Sequence, residues 1–501
     1  MPGFALKTLP LVPLVAILAA CPSQVEEEPP PAPSPTPDPT PSGPGPLVRG
    51  LEIAAVTLNQ GAEGRLVRGG AVLAESGLPV VAGRAALLRA YVAPNNDWDD
   101  RVVTATLELT GLPEDSGDDD DSAEVDLATY VDQKEISGFS DSAILESTFN
   151  FELPADAVQP GVEYSITLRE IEHGLDVVGV EEGARMPAKG TAPLHALDWG
   201  GVLRVELIPV QYMADGSGRT PTVDAERVAV YRSWFERLYP VREVQVTVGD
   251  VYVSDMEVLA DGTGFGDHLE LMSDIREERD IPWDRYVYGL LAPAGEDERA
   301  TWCASGCTLG LSYRTRNPNA DQLRVSVGTS FEADRSSRTM LHELGHAHDR
   351  GHADCGSASN TDPDYPYANG GIGTWGWDLQ ERVLVDPGDT ADLMSYCSPW
   401  WFSDYTFEAL WDRIHMLEGI GDRQGREAKS VHRMVTVRPD GRLDLKGARA
   451  MPSPSGEFRR VEVTRRDGRV ERVDGVYRPF NHIEGGTLLI PDEDEDIVSV
   501  R

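Results

Sequence analysis

A cluster of three histidines constrains this chain more than any other feature, because it requires a helix that stops close to the cluster. His342 and His346 are four positions apart, so both imidazoles leave the same face of an α-helix. His352 follows six positions later, where a continuing helix would turn it about 240° away from His346. We therefore predict that the helix ends near Asp349 or Gly351, both of which are residue types found where helices stop.

Glu343 lies directly beside the first of these histidines, and this spacing is that of a catalytic zinc site. Three neutral imidazoles leave the fourth position of a tetrahedral zinc ion to water, whose pKa falls to about 7. Glu343 can accept the proton of that water as its oxygen attacks a carbonyl carbon. A polar helix face is the alternative for a lone His-Glu-x-x-His, but only 10 of the 501 residues are histidine, and a third at this offset disfavours it. The sequence predicts one Zn²⁺ bound by His342, His346 and His352, with Glu343 as general base for peptide hydrolysis.

The first residues of the chain have the pattern of a secretory signal peptide. Lys7 precedes an apolar run that ends in Leu-Ala-Ala-Cys at Cys21, which is typical of a lipoprotein cleavage site. The run from Thr8 to Ala20 is shorter than the roughly 20 residues that span a bilayer. We predict a signal peptide over residues 1–20, a lipid on Cys21 that contacts the membrane, and an exported protein anchored at the bacterial cell envelope or surface. An ordinary cleaved signal that leaves a free thiol is the alternative.

Residues 21–48 are rich in proline, serine, threonine, glycine and glutamate, a composition that favours an extended tether. The formal net charge of −39 argues against nucleic acid and anionic membrane surfaces as partners. Four consecutive aspartates, Asp118–Asp121, lie within an acidic run from Pro113 to Asp126. They could bind Ca²⁺, but a solvated acidic loop is the simpler interpretation, and nothing else in the sequence supports a calcium site.

Hydrophobic periodicity divides the rest of the chain into three regions and predicts a multidomain protein. Residues 49–195 alternate apolar and polar side chains without an intervening helical pattern, which predicts a β-sandwich. Residues 196–430 mix strands with amphipathic helices and predict an α+β domain, with helices packed on a mixed sheet, that contains the zinc site. Residues 431–501 carry turn signals between alternating strands and predict a small β domain of hairpins.

Four cysteines remain once Cys21 is assigned to the lipid, and four cysteines allow three pairings. Export favours disulfides over a second metal site. Cys303 and Cys307 would close a tight loop, which leaves Cys355 to pair with Cys397.

The histidine pattern resembles that of the metzincin clan of zinc endopeptidases, whose motif is His-Glu-x-x-His-x-x-Gly-x-x-His followed by a methionine turn. His342, Glu343, His346 and His352 match the motif, whereas Asp349 stands at its glycine position. Aspartate tolerates the left-handed backbone of such a turn at a cost of roughly 1 kcal/mol. The resemblance implies a metzincin-like fold for the central domain and endopeptidase activity.

Further along, the sequence from Asp392 to Tyr396 resembles the methionine turn of the same family. The resemblance implies that Met394 forms an apolar floor beneath the metal, and that Tyr396 ligates zinc or donates to the oxyanion. Cys355 follows the third histidine closely and Cys397 follows Tyr396 directly. If both segments converge under the metal, a bridge between these cysteines joins the two halves of the site.

The region from about residue 200 to about residue 420 is also similar to secreted bacterial metalloproteases, some of which cleave mucin-type glycoproteins. Four tryptophans of this region could stack on sugars, namely Trp375, Trp377, Trp400 and Trp401. Packing in the core is the commoner role of tryptophan. His348 is two positions beyond His346 and should point away from the site. Asp354 and Asp392 are predicted acceptors for the imidazole N–H groups of the metal ligands.

Two other interpretations stay open at this point. A carboxylate such as Glu381 or Glu408 would replace His352 in a site built from two histidines and one glutamate. A degenerate protease domain would instead act as a surface adhesin that binds glycoproteins without cutting them, although the intact Glu343 argues against this. We favour a zinc-dependent endopeptidase that hydrolyses peptide bonds in extracellular proteins or glycoproteins, with His352 as the third ligand.

Overall fold

The computed structural model describes residues 45–111, 128–171, 181–198, 201–420 and 429–501. The predicted signal peptide, the predicted lipid site and most of the predicted tether lie outside these residues, as does the acidic run with its four aspartates. Within the described ranges, no helix is both long enough and apolar enough to cross a bilayer.

The described residues form strands and α-helices whose bounds follow in chain order. The strands are β1 (Leu51–Asn59), β2 (Glu63–Arg68), β3 (Ala71–Val72), β4 (Val80–Val81), β5 (Ala86–Pro94), β6 (Arg101–Thr110), β7 (Ala128–Ile136), β8 (Phe149–Leu153), β9 (Glu163–Glu170), β10 (Arg185–Met186), β11 (Ala192–Pro193), β12 (Ala196–Leu197), β13 (Val202–Tyr212), β14 (Glu243–Val248), β15 (Tyr252–Ser254), β16 (Arg285–Leu291), β17 (Gly310–Ser312), β18 (Val325–Thr329), β19 (Gly376–Asp378), β20 (Val383–Val385), β21 (Ala391–Asp392), β22 (Trp400–Trp401), β23 (Ser430–Val437), β24 (Leu443–Met451), β25 (Glu457–Arg465), β26 (Val470–Pro479), β27 (Gly486–Pro491) and β28 (Ile497–Val500). The helices are α1 (Ala225–Leu238), α2 (Phe265–Glu278), α3 (Arg299–Trp302), α4 (Ala333–Ala347) and α5 (Asp404–Ile420).

Two antiparallel sheets form the N-terminal region, with strand orders β3-β2-β1-β5-β8 and β10-β9-β6-β7. In β6 the apolar residues alternate with half-buried polar ones, so that Ala105, Leu107 and Leu109 are fully buried, as the period of two predicts. Both sheets contribute to one hydrophobic cluster, for example through Leu107 of β6 and Leu88 of β5. The N-terminal region is therefore held together by antiparallel strand pairing within each sheet and by a hydrophobic core that the two sheets share.

A mixed sheet with the order β14-β13-β16-β18-β17 forms the centre, with β15 also beside β13. Its strands are parallel except for β17, which runs antiparallel to β18 at the end of the sheet. β16 is buried from Tyr286 to Leu291, as expected for a parallel strand covered on both faces. One face packs on α2 and the other on α1, α4 and α5. The predicted arrangement of helices on a mixed sheet is confirmed.

Helix α1 shows how the local sequence builds this layer. The carboxylate of Asp224 accepts a hydrogen bond from the backbone N–H of Arg227 at 2.8 Å, which caps the first turn. Tyr231, Phe235 and Leu238 form one apolar stripe along the helix, and all three are buried. The stripe packs α1 on the sheet and against α4, so it supports the helix that carries the histidine motif.

The C-terminal strands form an antiparallel sheet in the order β24-β23-β27-β26-β25-β28. Its end strands β24 and β28 approach each other, so the sheet curls into a nearly closed barrel. Turns at Gly441 and Gly468 link β23 to β24 and β25 to β26, and both glycines adopt positive φ values, 81° and 85°. The predicted hairpins are confirmed, and the small β domain is this barrel.

The barrel packs on the α2 face of the central sheet. Phe480 of the barrel belongs to the same hydrophobic cluster as Leu269 of α2. The guanidinium group of Arg438 makes two hydrogen bonds of 3.0 and 2.9 Å to the carboxylate of Asp267, and Lys446 donates a third at 3.0 Å. Apolar contact and charge-assisted hydrogen bonds together fix the barrel next to the helix layer. This attachment determines where the loops of the barrel lie.

Candidate metal centre

Helix α4 positions the first two histidines of the motif. Its C-terminal half is buried from Met340 to Ala347, where it packs against β17 and β18. His342 and His346 project from the same face, as predicted, and their Nε2 atoms lie 3.1 Å apart. The helix thus brings two imidazole nitrogens to one point in the interior.

The turn after α4 falls at Asp349 and not at Gly351. Asp349 has a φ of 70°. This is the left-handed region, which is expected because the motif of the resembling family has glycine at this position. Its carboxylate lies 3.2 Å from Nε of Arg314, and this ion pair favours aspartate at a position where most side chains are disfavoured. The turn returns the chain toward the helix, so His352 Nε2 lies 3.0 Å from His346 Nε2.

All three imidazoles are oriented in the same way by backbone carbonyl groups. Their Nδ1 atoms hydrogen-bond to carbonyl oxygens as follows: His342 to Leu393 at 2.7 Å, His346 to Arg350 at 2.8 Å, and His352 to Ser359. A carbonyl oxygen can only accept, so each Nδ1 carries the proton and each Nε2 presents a lone pair toward the cluster.

The predicted carboxylate acceptors are therefore wrong. Asp354 is exposed, and no hydrogen bond joins it to the three imidazoles in the described structure. Asp392 is buried, but its carboxylate accepts the backbone N–H groups of Met394 at 2.7 Å and Ser403 at 2.9 Å. It fixes the backbone next to Leu393, whose carbonyl accepts the hydrogen bond from His342 Nδ1, so its effect on the histidines is indirect.

These three residues fit a metal ion. Three lone pairs that meet at 3.0 and 3.1 Å without a proton between them repel one another unless a cation lies among them. In a tetrahedral zinc site with Zn–N distances of about 2.0–2.1 Å, the ligand nitrogens are about 3.3 Å apart. Burial, with the neighbouring imidazoles, holds the pKa of His342 and His346 well below the ordinary value and lowers the pKa of His352 to about 3. The imidazoles are therefore neutral at pH 7, the form that binds metal.

Glu343 lies beside this cluster and is almost completely buried. Its side chain packs against β17, where a Cβ atom on Gly310 would come within 2.6 Å of Glu343 Oε1. Burial raises the pKa of the Glu343 carboxyl, while the nearby His482 opposes that rise. A carboxylate with a raised pKa next to a metal-binding cluster is suited to accept a proton.

The predicted methionine turn lies beneath the helix. Met394 is buried, and any side chain on Gly345 would collide with its sulfur atom, so the helix and the turn are in direct contact. Tyr396 is 41% exposed, and its ring centroid lies 5.1 Å from that of His352. Burial of its inner part raises the pKa of Tyr396 to about 12, so the phenol keeps its proton at neutral pH. Its Oη lies 2.6 Å from Nδ1 of His482.

His482 was missed by the sequence analysis. It lies in the loop between β26 and β27 of the barrel, 86 residues beyond Tyr396, so no motif spacing pointed to it. In the structure it joins the three motif histidines in a group whose ligand nitrogens all lie within 4.8 Å of one another. The only signal in the sequence was that histidine is rare, with 10 residues in the whole chain.

Both predicted disulfides are confirmed, Cys303 with Cys307 and Cys355 with Cys397. The backbone N–H of Tyr396 donates to the Cys355 carbonyl at 3.1 Å, which joins the same two segments again. The Cys355–Cys397 bridge thus links the loop after His352 to the methionine turn.

We expect the double variant Cys355→Ser/Cys397→Ser to lose about 3–4 kcal/mol of unfolding free energy, because the bridge closes a sequence separation of 42 residues. Guanidinium denaturation measures the loss. The matched control is Cys303→Ser/Cys307→Ser, whose bridge spans only 4 residues and should contribute about 2 kcal/mol. Peptide mapping without reductant that pairs Cys355 with Cys303 or Cys307 would contradict the arrangement.

The remaining candidates lie away from the cluster. His348 is buried, stacks on Tyr286 at 4.4 Å between ring centroids and points away from the motif histidines, as predicted. Glu381 and Glu408 are exposed, and the four-histidine group contains neither. His352, and not a downstream carboxylate, completes the cluster on α4.

The four tryptophans divide into two pairs. Trp377 and Trp401 are 3% exposed, and Trp401 Nε1 donates to the Gly61 carbonyl at 2.6 Å, which ties this region to the N-terminal sheets. Trp375 and Trp400 are half-buried. Only the second pair presents an aromatic surface to solvent.

Comparison with known families supports the geometry. Residues 324–396 match the family model of Peptidase M66. The matched segment begins just before β18 and ends at Tyr396, so it includes Glu343 and the three motif histidines but not His482. A search among curated proteins found none that matches the chain. Three of the four clustered histidines lie inside the matched segment, so the segment similar to Peptidase M66 contains most of the candidate metal centre, and the chain is a metalloendopeptidase.

Proposed function

We propose that this protein is a zinc-dependent endopeptidase, with His342, His346 and His352 as zinc ligands and Glu343 as general base. One observation carries the proposal: three neutral imidazoles converge at 3.0–3.1 Å with their Nδ1 protons already donated to backbone carbonyls. Imidazole nitrogen is a preferred ligand of zinc, and a set of three leaves a position for chemistry.

Glu343 and Tyr396 have different roles in the proposed reaction. A zinc ion bound here would polarise a substrate carbonyl and lower the pKa of a water molecule. Glu343 accepts a proton from the attacking water and passes it to the departing amine, a role for which its raised pKa is suited. Tyr396 keeps its phenolic proton at neutral pH and can donate a hydrogen bond to the oxygen that becomes negative.

The end of the central sheet offers a place for the substrate backbone. In the described sheet β17 is the last strand, and it pairs with β18 on one side only. Gly310 of this strand lies against Glu343. An extended peptide that adds to the exposed edge by main-chain hydrogen bonds would pass beside the general base.

We further propose that the enzyme is exported, is held to the membrane by a lipid on Cys21, and acts on extracellular proteins or glycoproteins. The signal-like N-terminus supports export, and the two disulfides are consistent with an oxidising compartment. We interpret the two N-terminal sheets as a β-sandwich because they share one core, and place the domain boundaries at residues 49–195, 196–430 and 431–501.

The substrate class is tested with two proteins, one denatured and unglycosylated, the other a mucin-type glycoprotein. We expect fragments from the glycoprotein, with cleavage sites found by mass spectrometry, and weaker cleavage of it by Trp375→Ala and Trp400→Ala if these half-buried rings hold sugars. The buried Trp377 is not a useful control because its loss would disturb the core, so Trp98→Ala in the N-terminal region serves instead. Tight binding of the glycoprotein with no cleavage of either protein would favour an adhesin over an endopeptidase.

A further inference from the structure

The barrel contributes a fourth imidazole to the metal centre. The ring of His482 faces the three motif histidines, with centroid distances of 5.1 Å to His342, 5.0 Å to His346 and 4.7 Å to His352. Its side chain is only 9% exposed. Because its side chain is so little exposed and its ring faces three others, His482 belongs to the site, although it comes from a different part of the chain.

His482 presents the same ring nitrogen to the cluster as the other three. Its Nδ1 makes a hydrogen bond, here with the Oη of Tyr396 at 2.6 Å. Its Nε2 is buried without a hydrogen-bond partner among the described residues and lies 3.2 Å from Glu343 Oε1. All four imidazoles thus have Nδ1 engaged on the outside and Nε2 left for the interior of the cluster.

The loop that carries His482 is attached to the segment after the third histidine. Ser359 Oγ donates to the Asn481 carbonyl at 2.8 Å, and Asn360 Nδ2 donates to the Phe480 carbonyl at 3.2 Å. Phe480 also packs in the cluster that joins the barrel to α2. The contact is therefore a specific docking of the barrel loop on the metal centre.

We propose that His482 is a fourth metal ligand in the resting protein and stands where the attacking water must enter. The proposal rests on the proposed zinc site. Glu343 is the proton acceptor for that water, so a water within hydrogen-bond distance of its carboxylate would need the place that His482 Nε2 holds at 3.2 Å. The structure is thus a closed form, in which the C-terminal barrel holds the enzyme inactive until the loop withdraws.

Space for that movement lies on the other side of the loop. A cleft of about 910 Å³ separates the segment around Gly262 from the barrel, and Phe480, Ile483 and Glu484 of the loop line it. Withdrawal breaks the hydrogen bonds of the loop with Tyr396, Ser359 and Asn360 but leaves the hydrogen bonds of the three motif histidines intact. A substrate that binds at the metal centre, in the place that His482 leaves, would stabilise the open form.

The test measures coordination and does not depend on cleavage. X-ray absorption at the zinc edge of the full chain should show four imidazole nitrogens in the wild type, and three with one oxygen in His482→Ala and His482→Gln. The zinc dissociation constant, from competition with a chelating dye, should rise about tenfold or more in both variants. Glu484→Ala, an exposed change in the same loop, is the matched control and should keep four imidazoles and wild-type affinity.

Cleavage gives the second readout. His482→Ala should raise kcat/KM by about tenfold, because the fraction of open enzyme limits the apparent activity. Asn360→Ala, which removes a hydrogen bond to the loop but no ligand, should raise kcat/KM in the same direction by a smaller factor. Three imidazoles and one oxygen in the wild type, or a lower kcat/KM in His482→Ala, would overturn the closed form and leave the zinc endopeptidase intact. Failure of the wild type to bind zinc would overturn the proposed function itself.

Discussion

Glu343→Ala is expected to slow peptide-bond cleavage by orders of magnitude while the protein keeps its fold and its zinc. The group of side chains that could hold the metal consists of four histidines and does not include Glu343, so loss of Glu343 removes no ligand. Its carboxylate is buried beside them and has a raised pKa, so removal deprives the attacking water of its proton acceptor. We expect kcat to fall roughly 10²- to 10⁴-fold, measured with a peptide substrate and with zinc content determined on the same sample.

Two variants make this result specific to the carboxylate. Glu343→Gln keeps the size of the side chain and should be as inactive as Glu343→Ala, because an amide cannot accept the proton. Glu332→Ala removes an exposed carboxylate just before the same helix and should keep wild-type activity. Activity of Glu343→Gln close to that of the wild type would remove Glu343 from the mechanism.

His346→Ala is expected to lose the metal, and the loss of the metal is expected to stop cleavage. His346 is central to the cluster, since its Nε2 lies within 3.1 Å of His342 Nε2 and 3.0 Å of His352 Nε2. Metal analysis should find substoichiometric zinc in the purified variant, and activity should fall to background because the general base has no activated water to act on.

His348 provides the matched control for this variant. It lies two residues further along and is equally buried, but its ring stacks on Tyr286 and points away from the cluster. His348→Gln should retain zinc even if it costs some stability, which thermal unfolding of the zinc-loaded protein measures. If His346→Ala kept its zinc and His348→Gln lost it, the ligand assignment would be wrong.

The parts of the site that depend on local sequence could be predicted. A spacing of four on a helix fixes the directions of His342 and His346, because the geometry of the helix is the same in every protein. The return of His352 required a left-handed residue after the helix, and the sequence offered two candidates for it. The choice of Asp349 depends on its ion pair with Arg314, a contact between distant residues that periodicity does not reveal.

The parts that depend on tertiary contact could not be predicted. The acceptors of the imidazole protons are backbone carbonyls, which every residue possesses, so residue type gave no signal and pointed instead to Asp354 and Asp392. His482 reaches the site because the barrel docks on α2 through residues such as Arg438 and Asp267, and neither periodicity nor motif spacing encodes that docking. Its hydrogen bond with Tyr396 exists only in the assembled fold.

The most direct test of a zinc endopeptidase is a metal count and a cleavage assay on one preparation of the full chain, purified without chelators. We predict about one zinc per chain, loss of cleavage when a chelator removes the metal, and recovery when zinc is returned. The three converging imidazoles and the buried Glu343 are the basis of this prediction. A protein that contains no zinc, takes none up and still cleaves the substrate at an unchanged rate would contradict it.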